Sequence, residues 1–202
     1  MPMKRLYRTS VTVFAVLILA ALAGCSQQGE STVRRQGPME LGDPGGVRSA
    51  VDAYPVVDGL HVTGQPVDID IQTYRLRISG SVDKPLSLSY EQIRGMEAER
   101  ERIRLVCPGF FTDEGFWTGV RIGDLLALAG IREGARKVSF ISTDGGYRAD
   151  IDLDEVLGEG MLIAYAFDGK PLARVHGYPL RVVAKDQPGN RWVKWLGEII
   201  VK

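Results

Sequence analysis

Two cysteines and two histidines are all that this 202-residue chain holds of two residue types that commonly bind metals or attack substrates. Cys25 stands at the end of an apparent export signal that would consume it, which leaves Cys107 as a single thiol without a partner for a disulfide. No Cys-x-x-Cys-His run is present, so covalent haem attachment is excluded. A basic excess is also missing, with 25 Lys and Arg against 25 Asp and Glu; a polyanion binder would carry such an excess on one face, and nucleic acid is not an expected partner. The apolar run VTVFAVLILAALA, Val11 to Ala23, falls short of the roughly 20 residues a stable membrane-crossing helix needs, so it does not read as a permanent span. There is no internal repeat.

What the chain does have begins at its N-terminus. Lys4, Arg5 and Arg8 precede that apolar run, and Gly24 and Cys25 follow it directly, which is the layout of a signal peptide. Leu22-Ala23-Gly24-Cys25 resembles the lipobox of bacterial lipoproteins, and the resemblance implies that Cys25 is acylated on sulfur and becomes the mature N-terminus. An ordinary cleaved signal that leaves Cys25 free is the alternative. Residues 1–24 are therefore expected to be a lipoprotein signal peptide, and residues 25–50 a lipidated cysteine with a flexible tether. The tether, SQQGESTVRRQGPMELGDPGGVRSA after Cys25, is too poor in large apolar residues to offset its own ordering entropy. The expected location is the cell envelope, exported and held to its membrane by lipid. Residues 51–202 are long enough for one domain with a proper core.

Within that domain, Tyr74–Ile78 alternates in period two and stops at Ser79-Gly80, a strand with a turn behind it. Ser89 and Gln92, three apart, form a capping-box start for a short helix. Arg102–Val106 is a second alternating strand that runs into Cys107. Ile122–Ala129 has helical apolar spacing and stops at Gly130. Strands are expected over Lys137–Ser142, Tyr147–Ile151, Met161–Phe167, Pro179–Ala184 and Gly197–Val201. Helices do not separate them regularly, so the expected class is α+β with a mixed, mostly antiparallel sheet, not a doubly wound parallel one.

Cys107 admits two readings from its residue type. Free cysteine is among the most buried residues and often only fills space. A thiolate is also a nucleophile and a soft metal ligand. Cys107 ends an apolar strand where Pro108-Gly109 stops the ladder, a placement that presents a side chain outward. An idle exposed thiol on an exported protein invites oxidation, and commitment to a metal removes that risk. Near cationic groups the free thiol would be acidified and reactive.

RLRISGSVDKPLSLSYEQIR, LVCPG, FWTGVRIGDLLALAG, VSFISTDGGY, LIAYAFDGKPLARVHGYPLRVV and RWVKWLGEIIV, in that order, resemble the successive segments of the molybdopterin-binding domain of the sulfite oxidase superfamily. That superfamily includes sulfite oxidase, plant-type nitrate reductase and a periplasmic methionine-sulfoxide reductase subunit. The resemblance implies a molybdenum cofactor with Cys107 as its protein thiolate ligand. It also implies that Ser142, His176, Arg181, Trp192, Val193 and Lys194 surround the pterin and its phosphate. Those residue types suit an anionic dithiolene phosphate, with guanidinium and ammonium groups for its oxygens and a hydroxyl and an imidazole for directional hydrogen bonds. Each has a plainer use: Arg181 as a solvated strand residue, Lys194 as a side chain snorkelling between tryptophans, His176 as the cap of a turn. Trp117, Trp192 and Trp195 read as core or rim packing. His61 lies outside every resembling segment and receives no role.

The chain departs from the family where Pro108, Gly109, Phe110 and Phe111 follow the cysteine, positions at which better-known members carry polar or basic residues. The stretch before Tyr74 also lacks the Asn- and aromatic-rich motif with which many members clasp the cofactor, and the chain has no room for a dimerisation domain of the sulfite oxidase kind. Two functions stand at this stage. One is a lipid-anchored oxidoreductase that transfers an oxygen atom to or from a small molecule with two electrons, served by an external electron-transfer partner. The other is a binding or scaffold lipoprotein that keeps the fold without the cofactor.

Overall fold

The computed structural model describes residues 54–202; the expected signal peptide, Cys25 and the tether lie outside the described residues. The described residues begin with β1 (Val56–Val57), β2 (Leu60–His61), β3 (Leu76–Gly80), β4 (Leu86–Leu88) and α1 (Tyr90–Arg94). A long hairpin of β5 (Glu99–Cys107) and β6 (Phe111–Arg121) leads into α2 (Ile122–Ala129), then β7 (Lys137–Ser142), β8 (Arg148–Asp152) and α3 (Leu153–Val156). β9 (Met161–Phe167), β10 (Lys170–Pro171), β11 (Arg181–Ala184) and β12 (Leu196–Val201) complete it, with 3₁₀ turns at Arg174–His176 and Gly189–Arg191.

Two five-stranded sheets carry the fold. In one, the order is β10-β9-β6-β5, and β11 pairs with the first half of β9 on the β10 side. In the other, the order is β4-β3-β12-β7-β8, and β3–β12 is the parallel pairing in an otherwise antiparallel sheet. The architecture is the α+β one that the strand and helix pattern indicates. Local chemistry explains the short helices. Ser89 Oγ accepts from Gln92 N–H at 3.2 Å while Gln92 Oε1 accepts from Ser89 N–H at 2.9 Å, closing the capping box on α1. Ile122, Leu125, Leu126 and Ala129 bury one stripe of α2, and Gly130 ends it at φ +72°.

β9, Met-Leu-Ile-Ala-Tyr-Ala-Phe, is buried along its whole length, which is why it reads as a continuous apolar run and not as an alternation. β6 beside it was not expected from the sequence. Its inward positions are Phe111, Asp113, Gly115 and Trp117, so a carboxylate and a glycine interrupt the apolar period. Gly115 has its own reason: a Cβ there would lie 2.2 Å from the Phe167 ring. The β5–β6 hairpin delivers Cys107 to the end of one sheet, where the chain segments leading into β11 and β12 also arrive.

Candidate functional site

At the tip of the hairpin, Phe110 N–H donates to Cys107 O at 3.0 Å, with Pro108 and Gly109 between them and Gly109 at φ +79°. Proline followed by a residue of positive φ fits a type II turn. Cys107 stands opposite Phe111, and Leu105 opposite Asp113, so all four side chains project from one face of the hairpin. Gly189 packs on that face from the 3₁₀ turn before β12; a Cβ there would lie 3.2 Å from both Cys107 Sγ and Leu105 Cδ1. The sulfur is half-buried, on the wall of a cavity of about 340 Å³.

Arg181, Trp192 and Lys194 reach the same cavity, with His61, Phe111, Tyr147 and Trp195. Arg181 and Lys194 are the basic side chains of its wall, which holds no carboxylate among the described residues. Arg181 is 3 % exposed, on a strand buried along its whole length; it is not a solvated strand residue. Its guanidinium lies 5.1 Å from the Trp117 ring and 5.8 Å from the Trp192 ring, and Nη1 donates to His176 O at 3.2 Å. Burial pulls Arg181 down to about 10, against which Asp113 acts, so the group stays charged at neutral pH. Its Nε is buried with no hydrogen-bond partner among the described residues. Such an orphaned donor on a buried cation is expensive unless something absent from the polypeptide completes it.

Lys194 is held by three oxygens. Nζ donates to Thr63 O at 2.8 Å, Thr63 Oγ1 at 3.1 Å and Val175 O at 3.0 Å, tying the segment after β2 to the turn before β11. Burial first, then Arg181, lowers it to about 7. The folded chain therefore releases a proton near pH 7 that the unfolded chain keeps to about 10.5, and the stability contributed by this group rises across that window. In cofactor-free protein, the unfolding free energy of wild type relative to Lys194→Met is expected to climb from about pH 7 to 10.5. A flat difference in urea titrations across that range would show that Lys194 remains protonated throughout.

Three other expected residues, His176, Ser142 and Val193, do not line this cavity. His176 is 1 % exposed; Nε2 is hydrogen-bonded to Val57 O at 2.6 Å, and Nδ1 is buried without a partner among the described residues. Burial, then Lys194 and Arg181, push its pKa down, while the Val57 hydrogen bond and Asp113 act in the opposite sense. Ser142 does not line the cavity. Its hydroxyl donates to Asp144 Oδ1 at 2.6 Å and accepts from Tyr147 N–H at 2.9 Å, fixing the β7–β8 turn that presents Tyr147 to the cavity. Val193 is fully buried, its N–H donating to Arg191 O at 3.2 Å and its carbonyl accepting from Val182 N–H at 2.8 Å.

For the free thiol, acidification is not what the surroundings produce. Burial and the nearby Asp113 push Cys107 up, and Lys194 only partly opposes them. Two residues that sequence reasoning passed over are central here. Asp113 is 4 % exposed and engages His61 with both oxygens, from the backbone N–H at 2.9 Å and from Nδ1 at 2.5 Å. His61 belongs to a two-residue strand and Asp113 to a polar-looking stretch 52 positions away, so only the fold joins them.

A half-buried thiol, a buried guanidinium and a half-buried amine meet at one cavity on an α+β scaffold, an arrangement suited to an anionic ligand. Residues 62–202 match the oxidoreductase molybdopterin binding domain, and the chain belongs to that family, whose members use the molybdenum cofactor. It is 31 % identical over 150 residues to the uncharacterized oxidoreductase YuiH of Bacillus subtilis, covering 74 % of each chain. It is 30 % identical over 171 residues to the sulfite oxidase of Arabidopsis thaliana, covering 67 % of this chain and 44 % of that one. Among solved structures, the sulfane dehydrogenase SoxCD from Paracoccus pantotrophus superposes with a TM-score of 0.65 at 19 % identity, over 83 % of this chain and 56 % of that one. The chain thus spans three quarters of the Bacillus protein and less than half of the plant enzyme.

Proposed function

We propose that this chain is a lipid-anchored molybdenum oxidoreductase that moves an oxygen atom between water and a small molecule, with Cys107 as the protein ligand to the metal. The observation that carries the reading is the convergence of Cys107, Arg181 and Lys194 on one cavity, with Arg181 Nε buried and without a partner among the described residues. The residues fit the group. A soft thiolate suits molybdenum, and a buried guanidinium with an open donor suits an anionic phosphate.

When bound, the cofactor supplies two-electron oxygen-atom chemistry. The chain's own part is to hold and orient. Arg181, pinned between Trp117 and Trp192, offers fixed donors that need no reorganisation. Lys194 adds a second cation, and the aromatic walls of Phe111, Trp192 and Trp195 restrict water. Electron exchange is assigned to a separate carrier protein or small mediator.

The deciding measurement is metal content. Protein produced where the molybdenum cofactor is made is expected to contain near-stoichiometric molybdenum after extensive washing. Its absence under those conditions favours the scaffold lipoprotein.

The anchor has its own test. Two or more acyl chains on one cysteine hold a protein stably to a bilayer, and the tether separates anchor from fold. Cys25→Ala is expected to move the protein from the membrane fraction to the soluble fraction with no change in thermal midpoint of the domain. A variant that still sediments with membranes after a high-salt wash overturns the lipid anchor.

A further inference from the structure

The His61–Asp113 pair is a built arrangement at the cavity wall that the cofactor-binding reading leaves unused. Asp113 is an acceptor only, so its contact with Nδ1 fixes the proton there and leaves the Nε2 lone pair free in the neutral ring. The His61 backbone N–H occupies the second carboxylate oxygen at 2.9 Å. Phe111 sets the ring plane by stacking, with centroids 4.6 Å apart and 15° between planes. Phe111 is also the direct cross-strand partner of Cys107, so the imidazole and the sulfur belong to the same stretch of wall. Nε2 has no hydrogen-bond partner among the described residues and is not enclosed, in contrast with His176, whose Nε2 is held by Val57 O.

We propose that His61 is the proton-transfer residue of this cavity, with Asp113 as its positioning residue. The proposal rests on the reading of the cavity as an oxygen-transfer site. Oxidation of a substrate S by that chemistry is S + H₂O → SO + 2H⁺ + 2e⁻, with the electrons leaving to the external carrier. Two protons must therefore cross a cavity walled largely by aromatic side chains. Of the other polar groups there, Arg181 has no lone pair to offer, Cys107 is assigned to the metal, Tyr147 donates its hydroxyl to Asn190 O, and Lys194, although its pKa is lowered to about 7, is turned onto Thr63 O, Thr63 Oγ1 and Val175 O and has no carboxylate to orient it. His61 Nε2 takes the proton: the water O–H bond breaks, its electron pair stays on oxygen, and an Nε2–H bond forms while Asp113 stabilises the imidazolium. The proton then passes to solvent, to which the side chain is 13 % exposed, and the ring is free for the second. In the reductive direction, the same atom returns protons to the departing water.

The experiment has a part that needs no turnover. In cofactor-free protein, nitrogen-15 spectra are expected to show His61 as a single Nδ1–H tautomer. Diethyl pyrocarbonate is expected to acylate His61 well before His176. An Nε2–H tautomer, or equal acylation of the two rings, overturns the proposal.

The second part uses molybdenum-loaded protein with two probe reactions, sulfite with ferricyanide and dimethyl sulfoxide with reduced benzyl viologen. His61→Asn keeps an N–H for Asp113 but has nothing at Nε2, so it tests the atom without emptying the site; His61→Ala leaves room for added imidazole. Both are expected to retain molybdenum and lose about 10²- to 10⁴-fold in turnover, the usual contribution of a general acid–base group, and imidazole is expected to restore part of the Ala variant's loss. Asp113→Asn is expected to lose the single-tautomer signature along with turnover. Retained molybdenum with turnover within about threefold of wild type in His61→Asn, against the loss expected of an acid–base group, overturns the proton role alone. Wild-type protein that holds no molybdenum, or that holds it and turns over neither probe, overturns the oxygen-transfer reading and the proton role with it.

Discussion

Arg181→Ala is expected to strip the cofactor and to destabilise the cofactor-free chain by about 2–5 kcal/mol, whereas Arg181→Met strips the cofactor but leaves that chain at least as stable as wild type. The difference follows from where the side chain sits. At 3 % exposure between Trp117 and Trp192, its truncation to a methyl leaves a void that the two indoles cannot close without moving. Either substitution unpairs His176 O, which accepts from Nη1, so that cost does not separate the two. Methionine fills the space with a thioether that packs well on aromatic rings, and it removes a charge whose burial already pulls its pKa down to about 10. Replacement of a buried ion by a hydrophobe of similar volume is often neutral or stabilising. Urea unfolding of the two cofactor-free variants, with molybdenum measured after reconstitution, separates packing from ligand binding. Retention of molybdenum by Arg181→Met would falsify the anion-holding role. Equal destabilisation of both variants would show instead that the charge itself supports the fold.

The parts of this structure that were legible in sequence are those in which one residue type repeats on one face. Leu76 and Ile78 of β3, the stripe of α2, and the unbroken apolar run of β9 each bury what their spacing indicates. β6 was hidden because its inward face is built for a site and for close packing: Asp113 is there to hold His61, and Gly115 to admit Phe167. A sequence pattern registers those substitutions as polar and flexible, although each is buried or enclosed. The candidate site divides along the same line. Cys107, Arg181, Trp192 and Lys194 stood out by residue type and by resemblance, and the fold brings them to one cavity. Ser142 was singled out for the same reasons, yet its hydroxyl is spent on Asp144 and Tyr147, a local turn geometry that depends on residues two and five positions on. The pairing of His61 with Asp113 has no signature within a window of sequence, since a two-residue strand meets a hairpin face 52 residues later.

Cys107→Ser is expected to abolish oxygen-transfer activity and to lose most of the bound molybdenum while the domain keeps its fold. The sulfur is half-buried on a cavity wall, so replacing it with a smaller hydroxyl empties no sealed core space, and the cost in the cofactor-free chain is expected to stay within about 1 kcal/mol. A hydroxyl is a hard, weakly acidic ligand and a poor substitute for a thiolate at a soft metal. Reactivity supplies the complementary evidence. In cofactor-free protein, burial and Asp113 push the thiol up, so its alkylation is expected to be slow at neutral pH and to accelerate with rising pH, beyond the range of an ordinary cysteine. In loaded protein the sulfur lone pair is engaged by the metal, and alkylation is expected to remain slow over the whole range. The pH-rate profiles of iodoacetamide labelling in the two forms, read by mass spectrometry at Cys107, therefore diverge only if the sulfur is a ligand. Superimposed profiles, or a Cys107→Ser variant that still retains molybdenum, remove Cys107 from the metal. A large fall in stability of the cofactor-free Ser variant would return it to the role of core packing, in which a buried hydroxyl without a partner is costly.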